Sequence, residues 1–171
     1  MGKLRVLSET TSEDSFFDRQ ERIDWWDQKI LSEAKVLVAG AGALGNETLK
    51  NLALLGVRRF LICDFDEIST SNLSRTVLFS ASDVGKRKAM VAAEKCQQLI
   101  LSDDPQVEWL DCDLSWELGL GKVSECSMVL SCLDNIEARK SLAWAARKMS
   151  VPFIDSGITQ LSGHVSVYPE N

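Results

Sequence analysis

Apolar and polar residues follow two regimes along this chain. Lys35–Gly40 and Arg59–Asp64 carry short apolar runs, VLVA and FLIC, that read as strands buried on both faces. Between them Ala43–Gly56 has a helical pattern, and after them a polar stretch rich in Ser and Asn runs to about residue 82. Lys86–Leu101 repeats an apolar face through Met90, Ala93 and Leu99, which predicts a second helix. Gln106–Asp113 and Ser127–Leu133 read as strands, and Ile136–Met149 as an Ala-rich helix. Pro152 opens a further strand, PFIDSGI; the terminal GHVSVYPEN alternates like a half-exposed strand, and Gly157–Gly163 can turn a hairpin between the two. Ahead of all this, residues 1–15 are expected to form a mobile, polar and acidic arm. Residues 16–34 place apolar side chains at 23, 26, 30 and 31, the period of one amphipathic helix.

Alternating strands and helices predict right-handed β-α-β units, hence an α/β, Rossmann-like fold: a mainly parallel sheet with helices on both faces, its last strands free to run antiparallel. With 171 residues, 45% of them hydrophobic, the chain suits one core, and residues 16–171 are expected to form one domain. A formal net charge of -6 argues against a general nucleic-acid binder and against DNA as a partner, so any phosphate chemistry must be local. Five cysteines without a C-x-x-C pair suggest reduced thiols rather than disulfides or a zinc site. No signal-peptide core, membrane-length apolar run or good myristoylation match is visible, so a cytoplasmic protein without a membrane partner is expected.

The candidate chemistry begins at GAGALG, residues 40–45, between a predicted strand and a predicted helix. Its glycines Gly40, Gly42 and Gly45 can supply a tight turn, backbone access for phosphate, and close helix–strand packing, with Ala43 at the helix start. Asp64 ends the next strand, where a carboxylate can accept hydrogen bonds from ribose hydroxyls. These features alone identify a nucleotide but no reaction, and fit a nicotinamide-dependent oxidoreductase equally well. The rest fits it less well. Asn72 and Arg75 lie in the polar loop, and VGKRK puts Lys86, Arg87 and Lys88 at a helix start, where cations oppose the helix dipole unless an anion joins them. Asp134 directly follows a predicted strand, so it faces the same crevice and can ligate magnesium beside phosphates; the competing reading is an ordinary helix cap.

The order of these motifs resembles the adenylating domain of ubiquitin-activating enzymes and their bacterial relatives, the ThiF and MoeB proteins. The resemblance runs through DRQ at 18–20, GAGALG, DFD at 64–66, NLSR at 72–75, VGKRK at 84–88, LDN at 133–135 and DSG at 155–157, and covers about residues 16–169. It implies ATP and magnesium as cofactors. It also implies adenylation of the C-terminal glycine carboxylate of a ubiquitin-like or sulfur-carrier protein ending in Gly-Gly, with release of pyrophosphate. By position, Asp64 matches the ribose acid; Asn72, Arg75 and Lys88 match phosphate-contacting residues; Asp134 matches the metal ligand, with Asp66 a weaker candidate for the metal shell. Arg19 matches an arginine supplied across a homodimer or heterodimer. Arg19, Arg75, Lys88 and Asp134 are therefore the expected catalytic set.

Such chemistry needs fixed positive charge more than a general base, because a terminal carboxylate is already ionised at neutral pH. The one histidine, His164, is accordingly read as a hairpin residue. Two departures stand out: Thr76 replaces the usual Gln, and the chain ends shortly after the strand following DSG, without the family's usual C-terminal portion, zinc pairs or catalytic cysteine. The cysteines at 63, 96, 112, 126 and 132 are read as small apolar packing residues. Other readings left open are a non-catalytic scaffold half of a heterodimeric activating enzyme and an adenylyltransferase acting on a small carboxylate on tRNA. Trp25 and Trp26 are candidates for either a dimer interface or intradomain packing.

Overall fold

The computed structural model describes residues 15–170; the expected N-terminal arm falls almost wholly outside the described residues. Six strands form one sheet in the order β3-β2-β1-β4-β5-β6. They are β1 (Lys35–Ala39), β2 (Arg59–Cys63), β3 (Gln106–Leu110), β4 (Met128–Ser131), β5 (Phe153–Ile158) and β6 (Gly163–Tyr168). The first five are mutually parallel, and β6 pairs antiparallel with β5 through a turn closed by Thr159 N–H donating to the Ser162 carbonyl at 2.7 Å. The expected parallel sheet with an antiparallel end is therefore present.

The unbroken apolar runs work because alternate residues enter different cores. Val36, Val38, Phe60 and Ile62 pack on one face against α3 (Ala43–Leu54) and α4 (Lys88–Leu99). Leu37, Ala39, Leu61 and Cys63 pack on the other against α5 (Leu120–Ser124) and α6 (Ile136–Lys148). Phe60, Leu37, Leu61 and Ile62 are fully buried; burial of each such side chain contributes about 1.5–3 kcal/mol. Asn135 caps α6, its side chain accepting from the backbone N–H groups of Glu137 and Ala138.

The single amphipathic helix expected over residues 16–34 is not formed. Two short helices, α1 (Asp18–Glu21) and α2 (Gln28–Glu33), are separated by turns, because the Asp27 side chain accepts from Lys29 and Ile30 N–H and starts a new helix there. Neither contains a buried residue. Gln28 Nε2 donates to the Leu55 carbonyl and Arg58 Nε to the Ser32 carbonyl, both at 2.9 Å, which ties α2 to the domain. Trp26 donates to Gln28 Oε1 at 2.9 Å, whereas Trp25 is 79% exposed.

Sheet order fixes where a ligand can enter. From β1 the chain moves outward to β2 and β3, then returns to the other side of β1 as β4. The loops after β1 and β4 therefore diverge, and leave a crevice at the carboxyl ends of the strands. Among the described residues, no helix is long and apolar enough to cross a membrane.

Candidate nucleotide-binding site

A crevice of about 680 Å3 opens at this divergence, floored by Gly40 and Gly42 and bounded by the segments following β2, β4 and β5. The three glycines have separate duties. Gly40 turns the chain with φ +90, and its N–H donates to the Cys63 carbonyl at 2.8 Å. A Cβ at Gly45 would overlap the Gly40 carbonyl oxygen, so this residue lets α3 pack against the loop. Gly42 faces open space, with no atom within 4 Å of where a methyl would stand, and lines the crevice beside Ala43 at the start of α3. Unpaired N–H groups at that helix start face the space where an anion would sit.

Asn46 secures the loop. It is fully buried; Nδ2 donates to the Ala41 carbonyl at 2.7 Å and the Gly42 carbonyl at 3.0 Å, and Oδ1 accepts from Leu78 N–H at 3.0 Å. The polar segment after β2 is thereby tied to the glycine turn. Sequence reasoning missed this residue, since an Asn inside a helical pattern carries no visible partner.

Asp64 lies at the crevice wall, its carboxylate accepting from Ala41 N–H at 2.7 Å and Asp66 N–H at 2.8 Å. Burial pushes its pKa up, and the two N–H donors and nearby Lys88 pull against that shift. Each carboxylate oxygen retains a second lone pair, so hydroxyl donors can still be accepted. Lys88, at 9% exposure, extends into the crevice and pairs with Asp66 at 2.6 Å. Arg75 is exposed there, one guanidinium nitrogen donating to the Ser71 carbonyl at 2.6 Å. Asn72 also lines the crevice, but its Oδ1 accepts from Ser69 N–H at 2.9 Å and closes the capping box of the short 3-10 turn Thr70–Asn72. Thr76 donates to the Asn72 carbonyl at 2.9 Å and braces the same turn.

The three cations of VGKRK do not converge. Lys86 pairs with buried Asp83 at 2.8 Å, and Lys86 and Ser80 hold the Asp83 carboxyl well below the usual carboxylate range. Arg87 pairs with Asp111 at 3.1 Å and donates to the Phe65 carbonyl at 2.9 Å. Only Lys88 faces the crevice. The expectation of an anion drawing all three cations is corrected: carboxylates contributed by other turns neutralise two of them.

Asp134 is exposed on the crevice wall and is not the cap of α6, because Asn135 takes that position. Its carboxylate is left for a ligand. Among the described residues no three His, Cys, Asp or Glu side chains cluster as a metal site. One carboxylate plus phosphate oxygens is nonetheless an arrangement that suits magnesium, which keeps much of its water.

Two further crevice residues carry roles that the sequence does not reveal. Arg139 on α6 donates to the carbonyls of Leu133 and Ser156, and approaches Asp155 at 3.3 Å, so it clamps the ends of β4 and β5 together. His164 lies on the hairpin as expected, but lines the crevice 3.3 Å from Asp155 and 3.4 Å from Arg139. Cys132 also reaches the crevice wall, though burial pushes its thiol pKa up and its sulfur faces the hydroxyls of Thr48 and Ser156. Arg19 is exposed on α1, beside Ser15 and Arg22, and does not reach the crevice of its own chain.

Residues 17–171 match the ThiF family. The NEDD8-activating enzyme E1 catalytic subunit of Caenorhabditis elegans is 35% identical over an alignment covering 98% of this chain and 42% of that protein. The molybdopterin-synthase adenylyltransferase of Salmonella typhimurium is 33% identical, over 85% of this chain and 57% of its own length. Among solved structures, E. coli MccB with succinimide superposes with a TM-score of 0.75 at 26% identity, covering 84% of this chain and 43% of that one. The chain spans about half the length of these relatives. With its Rossmann-like sheet, its glycine turn and a crevice lined by both Asp64 and Asp134, the chain belongs to the ThiF family.

Proposed function

We propose that the crevice binds ATP with magnesium and that the chain supplies the adenylating site for the C-terminal glycine carboxylate of a ubiquitin-like or sulfur-carrier protein. The observation that carries this reading is the convergence of Gly42, Asp64, Lys88, Arg75 and Asp134 on one crevice at the sheet's divergence. The names of the relatives support it: one is a NEDD8-activating enzyme subunit, another a molybdopterin-synthase adenylyltransferase and a third, from Escherichia coli, a sulfur carrier protein ThiS adenylyltransferase.

The residues divide the work by charge. Asp64 accepts the ribose hydroxyls and sets the nucleoside's depth, while the helix start at Gly42 and Ala43 receives phosphate oxygens. Lys88 exchanges its partner Asp66 for phosphate, and Arg75 swings from the Ser71 carbonyl towards the same oxygens. A carboxylate oxygen of the carrier then attacks the α-phosphorus, the bond to the bridging oxygen breaks, and pyrophosphate departs with the bonding electrons. Lys88 and Arg75, fixed before reaction, stabilise the growing charge on that leaving group. Asp134 would hold magnesium, which supplies further neutralisation of the phosphates. Arg139 positions the Asp134 loop through the Leu133 carbonyl. Arg19 completes the site from a second subunit, in a homodimer or heterodimer, since the site of its own chain is out of its reach.

The same glycine turn and acid would hold a nicotinamide dinucleotide, but that cofactor gives Lys88, Arg75 and Asp134 no shared purpose. Calorimetry separates the two readings. Mg-ATP is expected to bind the wild-type chain and to bind Lys88→Ala at least about tenfold more weakly, a difference of about 1.4 kcal/mol. Tight NAD binding with no response to Mg-ATP would overturn the proposal.

A further inference from the structure

All three residues of the DSG motif, 155–157, converge on one side chain, Arg139 of α6. Asp155 Oδ2 stands 3.3 Å from Arg139 Nη1, and both side chains of this pair are mostly buried. The Ser156 carbonyl accepts from Nη2 at 3.1 Å, while the Ser156 hydroxyl donates to the Ser131 carbonyl at 2.7 Å and holds the end of β5 to the end of β4. Gly157 leaves room: a Cβ there would stand 2.6 Å from Arg139 Nη2 and 2.6 Å from His164 Cε1. His164 faces Gly157 across the β5–β6 pair and brings Nε2 to 3.3 Å from the same Asp155 oxygen. Gly157, His164 and Arg139 line the crevice, and Asp155 lies behind them.

The rest of the guanidinium turns towards the end of β4. Nε donates to the Leu133 carbonyl at 2.8 Å, and Nη2 donates there as well. That carbonyl belongs to the peptide unit joining Leu133 to Asp134. A peptide unit is planar, so pinning its oxygen fixes the plane from which Asp134 departs. The segment is held from the other side too. Cys132 N–H donates to the Ala39 carbonyl at 2.8 Å, and a Cβ at Gly40 would stand 2.8 Å from the Cys132 carbonyl oxygen, so the glycine turn lies directly against it. Asp134 itself is exposed, and the backbone on either side sets its direction, not burial of its side chain.

We propose that the DSG turn is a socket for Arg139, and that Asp155 and Gly157 are positioning residues. Acting through Arg139 and the Leu133 carbonyl, they hold Asp134 on the crevice wall, in the position from which it would hold magnesium. The part concerning magnesium rests on the proposed nucleotide function; the socket and the fixed turn do not.

The donor count favours a holding role for Arg139 over contact with substrate. Nε, both hydrogens of Nη2 and one of Nη1 are committed to Leu133, Ser156 and Asp155. A planar fork can meet two carbonyls and a carboxylate at once, which a lysine ammonium cannot. Asp155 depends on this arrangement in turn. Its Oδ1 is buried without a partner among the described residues, so Oδ2, with Arg139 and His164, carries the pairing of the charge.

Amide hydrogen exchange of the ligand-free chain tests the socket. Glu137 N–H donates to Asn135 Oδ1 at 2.8 Å and Arg139 N–H to the Asn135 carbonyl at 3.1 Å, so both amides report on the turn that precedes α6. Asp155→Asn, remote from that turn in sequence, is expected to speed their exchange about tenfold, as loss of one hydrogen bond to a charged group would, with α3 and α4 unchanged. Arg139→Lys, which keeps a charge opposite Asp155 but loses the fork, should speed exchange at Glu137 likewise. Calorimetry tests the aim of Asp134. In Asp155→Asn the magnesium concentration that half-saturates the enhancement of ATP binding should rise about tenfold, with metal-free ATP affinity unchanged. In an Asp134→Ala background Asp155→Asn should cause no further loss, because both act through one carboxylate, whereas a merely structural role would add to it. Unchanged exchange at these amides in both variants overturns the socket. Faster exchange with an unchanged magnesium requirement, or additive losses in the double variant, overturns the positioning of Asp134. A wild-type chain that binds no ATP, or binds it without response to magnesium, counts against the nucleotide function itself, and is seen before any variant is compared.

Discussion

Gly42 and Gly45 stand three residues apart and should respond oppositely to the same substitution. Gly42 has an ordinary φ of -73 and open space where a methyl would go, but that space is the crevice. Gly42→Ala is expected to melt like wild type and bind Mg-ATP at least about tenfold more weakly. At Gly45 the methyl would meet the Gly40 carbonyl, so Gly45→Ala should cost about 1–3 kcal/mol of stability or more, measurable by urea denaturation. Asp64 gives a pH signature. Burial raises its pKa, so the folded state takes up a proton more readily than the unfolded chain, and its own protonation relieves rather than causes acid unfolding. Ribose hydroxyls need it as an acceptor. Nucleotide affinity should therefore be level at neutral pH and fall as pH drops through a midpoint above the ordinary Asp value of about 3.9. Titration calorimetry across pH checks this, and Asp64→Asn should bind weakly with that dependence removed.

At the scale of elements, α3 begins where it does because Asn46 binds three backbone groups at once. Asn46→Ala would strand the Leu78 N–H and the Ala41 carbonyl in a dry interior, each at a cost of about 1–3 kcal/mol. Chemical denaturation should show a loss of that order, together with weaker Mg-ATP binding as the glycine turn loosens. The strands, α3, α4 and α6 are legible in the sequence because their apolar patterns match the faces they bury, and the glycine turn because its spacing has a mechanical purpose. Residues 16–34 mislead because periodicity does not reveal Asp27 capping a new helix in mid-pattern. Lys86 and Arg87 mislead for a related reason: charge on a helix start is visible in a sequence, but the approach of Asp83 and Asp111 is not. Arg139 escapes notice, and His164 reads only as a hairpin residue, because their partner, Asp155, lies in β5.

At the scale of the whole molecule, the sheet order places the loops after β1, β2, β4 and β5 around one crevice while α1 remains outside it. Gly40, Gly42, Ala43, Asp64, Asp66, Asn72, Arg75, Lys88 and Asp134 meet there; Gly45 packs beneath, and Arg19 is absent. If Arg19 serves a partner's crevice, mixed assemblies of Arg19→Ala and Asp134→Ala chains should regain activity that neither variant has alone, because one of the two sites is then whole. No recovery would place Arg19 outside the reaction. The exposed Trp25, Phe16 and Ile30 near that helix suit such an interface. Exchange of radiolabelled pyrophosphate into ATP tests the central claim most directly. Exchange is predicted when magnesium and a carrier protein ending in Gly-Gly are present, and should disappear when the carrier's last glycine is removed or Asp134 is changed to Ala. Exchange that proceeds equally with Asp134→Ala, or ATP binding with no exchange for any Gly-Gly carrier, would contradict the account.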